Sequence, residues 1–147
     1  MSHYEIRPAA ESESVQIKEL IHEAGINPTG LDWRRFLVAV DETGGVIGCG
    51  QIKPHGKDIL ELASIAVTPK RRGQGIARRI IEILLAQNSR PLYLMCAEHN
   101  GPLYLKFGFR VIDYDEMPKY FSRMKKIFDV AKTLRKVNEN LLIMKLG

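Results

Sequence analysis

The stretch Leu60–Pro69, LELASIAVTP, is an apolar strand-like run, and the chain then turns straight into an amphipathic helical segment. The connection, Arg71–Ala77, reads RRGQGIA. A strand that enters a helix through two glycines one residue apart narrows the choice of folds sharply. Glycine tolerates φ > 0 and carries no Cβ, so the backbone there can approach a ligand closely. The first N–H groups of a helix lack internal partners, and the helix dipole makes that end partly positive. Such a turn suits a phosphate or diphosphate. Arg71, Arg72, Arg78 and Arg79 add cationic charge beside it. The segment reads as a phosphate-cradling element, and the chain as an enzyme that uses a diphosphate-bearing cofactor.

The rest of the chain supplies strands on either side. Residues 3–8 alternate like a short strand, and Ser12 or Ser14 is placed to cap a helix over 13–24. Its apolar stripe is Val15, Ile17, Leu20, Ile21 and Ala24, and Gly25 ends it. Residues 26–35 are turn-rich, with one helical turn around Trp33. Strand-like runs follow at 36–40, 46–53 and 59–67, joined by the turns DETGG and PHGKD. Short Gly-containing connections predict an antiparallel meander. The helix after the glycine turn runs to about Gln87 and presents Ile76, Ile80, Ile81, Ile83, Leu84 and Leu85. PLYLMC (91–96) is a short buried-type strand, so this unit is strand–helix–strand and predicts a parallel pair. A short helix around 101–107 and a strand in FGFRVIDY come next. Pro118 opens a helix to about Val137, with Tyr120, Phe121, Met124, Ile127, Phe128, Ala131 and Leu134 at helical spacing, and LLIMKL (141–146) closes the chain. The order β α β β β α β α β α β predicts a mixed sheet with helices on both faces, an α/β or α+β fold.

A length of 147 residues predicts one domain spanning 1–147. Ten acids face six bases in residues 1–68 (−4), whereas 69–147 carry sixteen bases and seven acids (+9), giving the overall +5. The basic half begins at the glycine turn, which suits an anionic ligand there, whereas the residues beyond the turn read as a solvated surface with some Lys and Arg excess. A nucleic-acid partner would call for a basic face with exposed aromatics or a reading motif. Neither is visible. No apolar run approaches the ~20 residues that span a bilayer, and the N-terminus lacks a signal-peptide pattern. Cys49 and Cys96 do not make a disulfide framework. These features predict a cytoplasmic protein without nucleic-acid or membrane partners, and leave a homodimer open.

The segment LASIAVTPKRRGQGIARRII resembles the cofactor motif of the GNAT superfamily of N-acetyltransferases. That pattern, Q/R-x-x-G-x-G/A, is matched by Arg72, Gly75 and Ala77, and SIAVTP is similar to the family's central strand. LYLKFGF at 103–109 is similar to a second family segment, Y-x-K-x-G-F. The order of elements fits over nearly the whole chain. Asn100 stands four residues before Tyr104, where many members have a longer spacing, so no cofactor role is carried over to it. The long basic helix exceeds what the minimal fold needs. A rival is a dinucleotide-binding fold, since Gly73-x-Gly75 is part of G-x-G-x-x-G and Glu98 lies near the spacing of a ribose-binding acid. Against it, Arg78 occupies the third glycine position, three strands precede the motif's own, and only about seventy residues follow.

The resemblance implies an acyl-CoA N-acyltransferase fold with acetyl-CoA as co-substrate and no metal. Strand 59–67 would splay from strand 91–96, and the pantetheine arm would pair with the backbone of Ile65, Ala66 and Val67. The diphosphate would sit on the N–H groups of Gly73, Gln74, Gly75, Ile76 and Ala77, between Arg72 and Arg78. An N–H near Ile65 would hold the developing oxyanion. Tyr104 is implied as the general acid for the departing thiolate; the alternative is a core aromatic beside Phe107 and Phe109. Glu61 is implied as the general base, because an ammonium has no lone pair until a proton is removed; the alternative is a strand-end acid in solvent. Cys96 and His99 stand three apart, but read as a buried residue and a loop residue rather than a nucleophile pair. Cys49, Cys96, His55 and His99 lack zinc-ligand spacing. The basic residues Lys119, Arg123, Lys125, Lys126, Lys132, Arg135 and Lys136 read as a solvated face or as contacts for an acidic acceptor. The acceptor that the resemblance implies is a small-molecule or peptide amine. Its pocket is expected between segments 26–36 and 113–124, with Trp33 and Tyr120 as walls and Asp32, Asp113, Asp115 and Glu116 as acids; the alternative is that Trp33 plugs the core and the acids are solvated. A non-catalytic acyl-CoA-binding domain is the alternative to an enzyme.

Overall fold

A computed structural model describes residues 3–135 and 138–147. The strands are β1 (Tyr4–Pro8), β2 (Phe36–Asp41), β3 (Val46–His55), β4 (Ile59–Val67), β5 (Leu92–Ala97), β6 (Arg110–Val111) and β7 (Leu141–Leu146). The helices are α1 (Ser14–Ala24), α2 (Ile76–Gln87), α3 (Gly101–Leu105) and α4 (Lys119–Arg135). One mixed sheet has the order β1-β2-β3-β4-β5-β7-β6. The pairs β1–β2, β2–β3, β5–β7 and β6–β7 are antiparallel. β4 and β5 are parallel, with Glu61 opposite Tyr93. This is the expected α/β architecture with a mainly antiparallel sheet. No helix among the described residues is long and apolar enough to cross a membrane.

The chain divides into two compact units, Met1–Lys53 with Leu62–Ser89, and Pro54–Glu61 with Arg90–Gly147. In the first, Ile17, Leu20, Ile21, Phe36, Val38, Val40, Cys49 and Ala66 form a core against which Trp33 packs. α1 starts differently from expectation. Neither Ser12 nor Ser14 caps it. Glu13 instead reaches back to the Ala10 N–H at 2.8 Å and takes two bonds from Arg7, at 2.8 and 2.7 Å. A buried carboxylate with a guanidinium partner satisfies more donors than a serine hydroxyl can. Val15 is 65% exposed, outside the apolar stripe. Gly25, at φ +69°, ends the helix as expected. The 41–45 turn is tied by Asp41 Oδ1, which accepts from the N–H groups of Thr43 and Gly45 and from the Thr43 hydroxyl. These bonds, the Thr43 hydroxyl first, hold the Asp41 carboxyl below its ordinary pKa.

Helix α2 lies hard against β3 because Gly48 and Gly50 offer no side chain. A Cβ on Gly50 would stand 2.6 Å from Ile65 Cδ1 and 2.8 Å from Ile80 Cγ2. One on Gly48 would stand 2.9 Å from Ile76 Cγ2. The helix buries Ile76, Ile80, Ile81 and Leu84.

The second unit has its own core of Tyr93, Ile112, Phe121 and Ile143, with Ile59, Met95, Met117, Tyr120 and Leu141 around it. β6 has two residues, shorter than the FGFRVIDY run predicts, because turns bonded back to Tyr104 and Leu105 take up Phe107–Phe109 and Tyr114–Glu116 close into a 3-10 turn. α4 buries Phe121 alone, while Ile127 and Leu134 of the expected stripe are 65% and 79% exposed. The expected end of this helix at Val137, and the basic residue Lys136, lie outside the described residues.

Candidate active site

In the first unit, β4 runs to Val67 and the chain passes through a 3-10 turn, Pro69–Arg71, into the glycine turn. Gly73 and Gly75 take φ +77° and +81°, values an L side chain rarely adopts, and a Cβ at either would meet nothing within 4 Å. The two glycines therefore serve backbone conformation and leave open space beside it. Gly75 is the N-cap of α2, so no side chain caps the helix, and no acid stands in its first turn. The orphan N–H groups at this end remain without internal partners.

The arginines around the turn are held in distinct ways. Arg72 donates Nε to the Val67 carbonyl at 3.2 Å, tying the turn to the end of β4. Arg71 donates Nε to Gln74 Oε1 at 3.0 Å. Its Nη2 is buried without a hydrogen-bond partner among the described residues. Such an atom costs free energy unless an acceptor arrives. Arg72, Gly73, Gln74, Gly75 and Arg78 are exposed, Ala77 is half-buried and Ile76 is buried. An uncapped helix end, two left-handed glycines and an orphaned guanidinium nitrogen fit a phosphate-bearing ligand. On β4, Ala66 and Val67 are buried and Ile65 is half-buried.

Ser64, on the same strand, is the single non-glycine residue with positive φ (+60°) among the described residues. Such a conformation costs about 1–3 kcal/mol and persists where neighbours enforce it. Here Gln51 Nε2 donates to Ser64 Oγ at 2.8 Å, and Cys49 Sγ donates to the Ser64 carbonyl at 3.4 Å. Sequence reasoning missed this residue, because a serine in an apolar strand gives no sign of a left-handed backbone.

In the second unit, Glu61 is 3% exposed, which settles it as a buried carboxylate rather than a solvated strand-end acid. Its Oε1 lies 2.7 Å from His55 Nε2. The imidazole stacks on Tyr120, with ring centroids 3.8 Å apart and planes at 23°, and meets Phe121 edge-on. Burial, and then the charge of Glu61, raise the Tyr120 pKa. Tyr104 lies on α3, half-buried and edge-on to Phe109 at 6.2 Å. Burial, with a smaller contribution from Cys96, pushes its pKa up to about 12. Its hydroxyl therefore keeps its proton at neutral pH and can act as a donor.

The remaining candidates are placed as follows. Cys49 and Cys96 are buried free thiols. His99 is bonded to Glu139 on the surface. Asp32 pairs with Arg34, and Glu116 makes a two-bond contact with Arg110. A groove of about 760 Å³ in the second unit takes in Asp113, Asp115, Met117, Lys125, Asp129 and Leu141. It holds two of the expected acids, but Glu61, His55 and Tyr104 are not among its lining residues.

Residues 32–111, which contain the glycine turn, Glu61 and Tyr104, match the family model of the acetyltransferase (GNAT) domain. The chain belongs to the GNAT family. Solved GNAT structures share its fold. N-acetylglutamate synthase from Neisseria gonorrhoeae, complexed with coenzyme A and N-acetyl-glutamate, superposes with a TM-score of 0.73 at 20% identity. That match covers 99% of this chain but 35% of the synthase, so this GNAT chain spans about a third of that protein. Rv2747 from Mycobacterium tuberculosis, in complex with CoA and NLQ, gives 0.73 at 22% identity over 97% of this chain and 98% of its own. Arabidopsis thaliana NAA60, with a bisubstrate analogue, gives 0.62 at 18% identity over 76% and 86%. No curated protein matches the sequence. The rival dinucleotide-binding reading needs a largely parallel sheet, whereas four strand pairs of this GNAT domain are antiparallel.

Proposed function

We propose that the 147 residues act as one acetyl-CoA-dependent N-acetyltransferase domain, transferring the acetyl group directly to an amine. The observation that carries this reading is the uncapped N-terminus of α2 behind Gly73 and Gly75, beside the unpartnered Arg71 Nη2, in a chain of the GNAT family. The diphosphate is assigned to the N–H groups of Gly73–Ala77, with Arg72 and Arg78 alongside. The pantetheine arm is assigned to the backbone of Ile65, Ala66 and Val67, added as a strand.

The co-substrate supplies an activated acetyl thioester. Tyr104 is assigned as general acid, because its raised pKa keeps a proton ready for the departing thiolate. Glu61 is assigned as general base, acting directly or through water. An N–H near Ile65 is assigned to the developing oxyanion.

One similar structure holds N-acetyl-glutamate and another a bisubstrate analogue. Amino acids are therefore the first acceptors to screen, followed by protein termini, polyamines and amine drugs. The test is CoA release from acetyl-CoA across those classes. Turnover with any of them supports the enzyme. Acetyl-CoA binding without turnover on all four replaces it with a non-catalytic acyl-CoA-binding domain. No acetyl-CoA binding sinks both.

A further inference from the structure

We propose that His55 is the catalytic residue that removes the proton from the acceptor ammonium, with Glu61 as the positioning residue behind it. This rests on the acetyltransferase reading and changes which atom meets the amine. The observation is a carboxylate and an imidazole in contact at the end of β3 and the start of β4, with Glu61 Oε1 and His55 Nε2 2.7 Å apart.

The side chain of Glu61 is 3% exposed and that of His55 17%, so the imidazole is the more accessible member of the pair. An ionised carboxylate only accepts hydrogen bonds. The neutral ring facing it therefore carries its hydrogen on Nε2, which leaves the Nδ1 lone pair to take a proton. Nδ1 has no hydrogen-bond partner among the described residues. The ring plane is fixed by the stack on Tyr120 and the edge contact with Phe121. A third group that sets the tautomer and orientation of an imidazole base, and steadies the imidazolium it becomes, is a recurring arrangement. Among the described residues, the titratable side chains in contact with His55 are Glu61 from β4 and Tyr120 from α4. The Tyr120 hydroxyl stays protonated at neutral pH because burial and Glu61 raise its pKa.

The step balances as follows. The acceptor arrives as an ammonium, and His55 Nδ1 takes one proton from it. The freed lone pair attacks the thioester carbonyl carbon, so a C–N bond forms and the C–S bond breaks as the adduct collapses. The nitrogen sheds a second proton to solvent, Tyr104 gives its proton to the thiolate, and the tyrosinate regains one from solvent, so this exchange is neutral. One proton per turnover then leaves the imidazolium for solvent.

The test has two parts. Nitrogen-15 NMR of the whole protein reads the His55 tautomer at a pH where the ring is neutral. We expect the hydrogen on Nε2 in the wild type and a mixed population in Glu61→Gln. Hydrogen on Nδ1 in the wild type overturns the proposal whatever the acceptor. Kinetics then compare an alkyl amine acceptor from the CoA-release screen with hydroxylamine, which is largely unprotonated at neutral pH. His55→Gln should lower kcat/KM for the alkyl amine about 10²–10⁴-fold and flatten the acid limb of its pH profile, while hydroxylamine turnover stays near wild type. An equal loss with both amines makes His55 structural. Loss in Glu61→Gln but not in His55→Gln returns the base to Glu61. The acetyl-CoA thermal shift of each variant reports folding, and its absence in the wild type fails the transferase reading instead.

Discussion

Tyr104 and Ser64 show how much one residue's surroundings decide. Burial of Tyr104 keeps its proton in place, which is what a donor to a thiolate requires. Tyr104→Phe keeps the ring against Phe109 and deletes the hydroxyl. Turnover should fall about 10²–10⁴-fold with acetyl-CoA affinity nearly unchanged, as steady-state kinetics and a binding titration would read. Equal turnover in the two, with chemistry rate-limiting, removes Tyr104 from the mechanism. Ser64 makes a sharper case for backbone. A β-branched side chain at φ +60° is a steric outlier, and losing the hydroxyl also strands the Gln51 amide. Ser64→Val should therefore destabilise the protein by more than about 1–3 kcal/mol in urea unfolding. A variant as stable as the wild type would mean that this strand relaxes freely. The sequence marks Tyr104, Glu61 and the glycine turn as candidates, through a motif or an odd polar residue in an apolar run. His55 and Ser64 are not so marked. The partner of His55 and the φ of Ser64 exist only once β3 and β4 have formed.

The elements follow the hydrophobic pattern closely, from the 36–40 run to LLIMKL at β7. Departures come where side chains reach beyond their own segment. Glu13 stands at the N-cap of α1 in place of the expected serine, and its side chain turns back to Arg7 and the Ala10 N–H rather than capping the helix. That arrangement has a pH signature. Its bonds, first to the Arg7 side chain, lower the Glu13 pKa below the unfolded value. A depressed carboxyl stabilises the fold above its unfolded pKa and loses that contribution as pH falls through the folded one. Glu13→Gln should cost about 1.5–3 kcal/mol at neutral pH. The Tm gap between variant and wild type should close as pH falls through and below the ordinary glutamate range. A gap independent of pH would assign the loss to packing. At the start of α2 the expectation concerns a ligand. Gly75→Glu puts an anion at an uncapped helix end and an L residue at φ +81°. It should abolish the acetyl-CoA thermal shift while the variant still melts cooperatively; a retained shift would place the diphosphate elsewhere.

At the scale of the molecule, the order of the eleven helices and strands among the described residues could be read in advance because each carries its own period and short connections join them. The division into two compact units was not foreseen, since it depends on which segments contact one another and not on any linker. Acetyl-CoA at about 100 times its dissociation constant should add roughly 2.7 kcal/mol to stability. NAD should add nothing. Melting curves with each ligand decide this, and a shift from NAD alone would sink the acetyltransferase reading.

Arg72 carries a consequence for the thermodynamics of capture. Its guanidinium is anchored to the Val67 carbonyl by a bond within the fold itself. Ordering a rotamer-rich side chain costs about 0.5–1.5 kcal/mol, and when that happens on association it weakens the complex. Here the side chain is ordered by folding. An anion that meets this arginine finds a preorganised charge, so the entropy of holding it has been spent before the encounter.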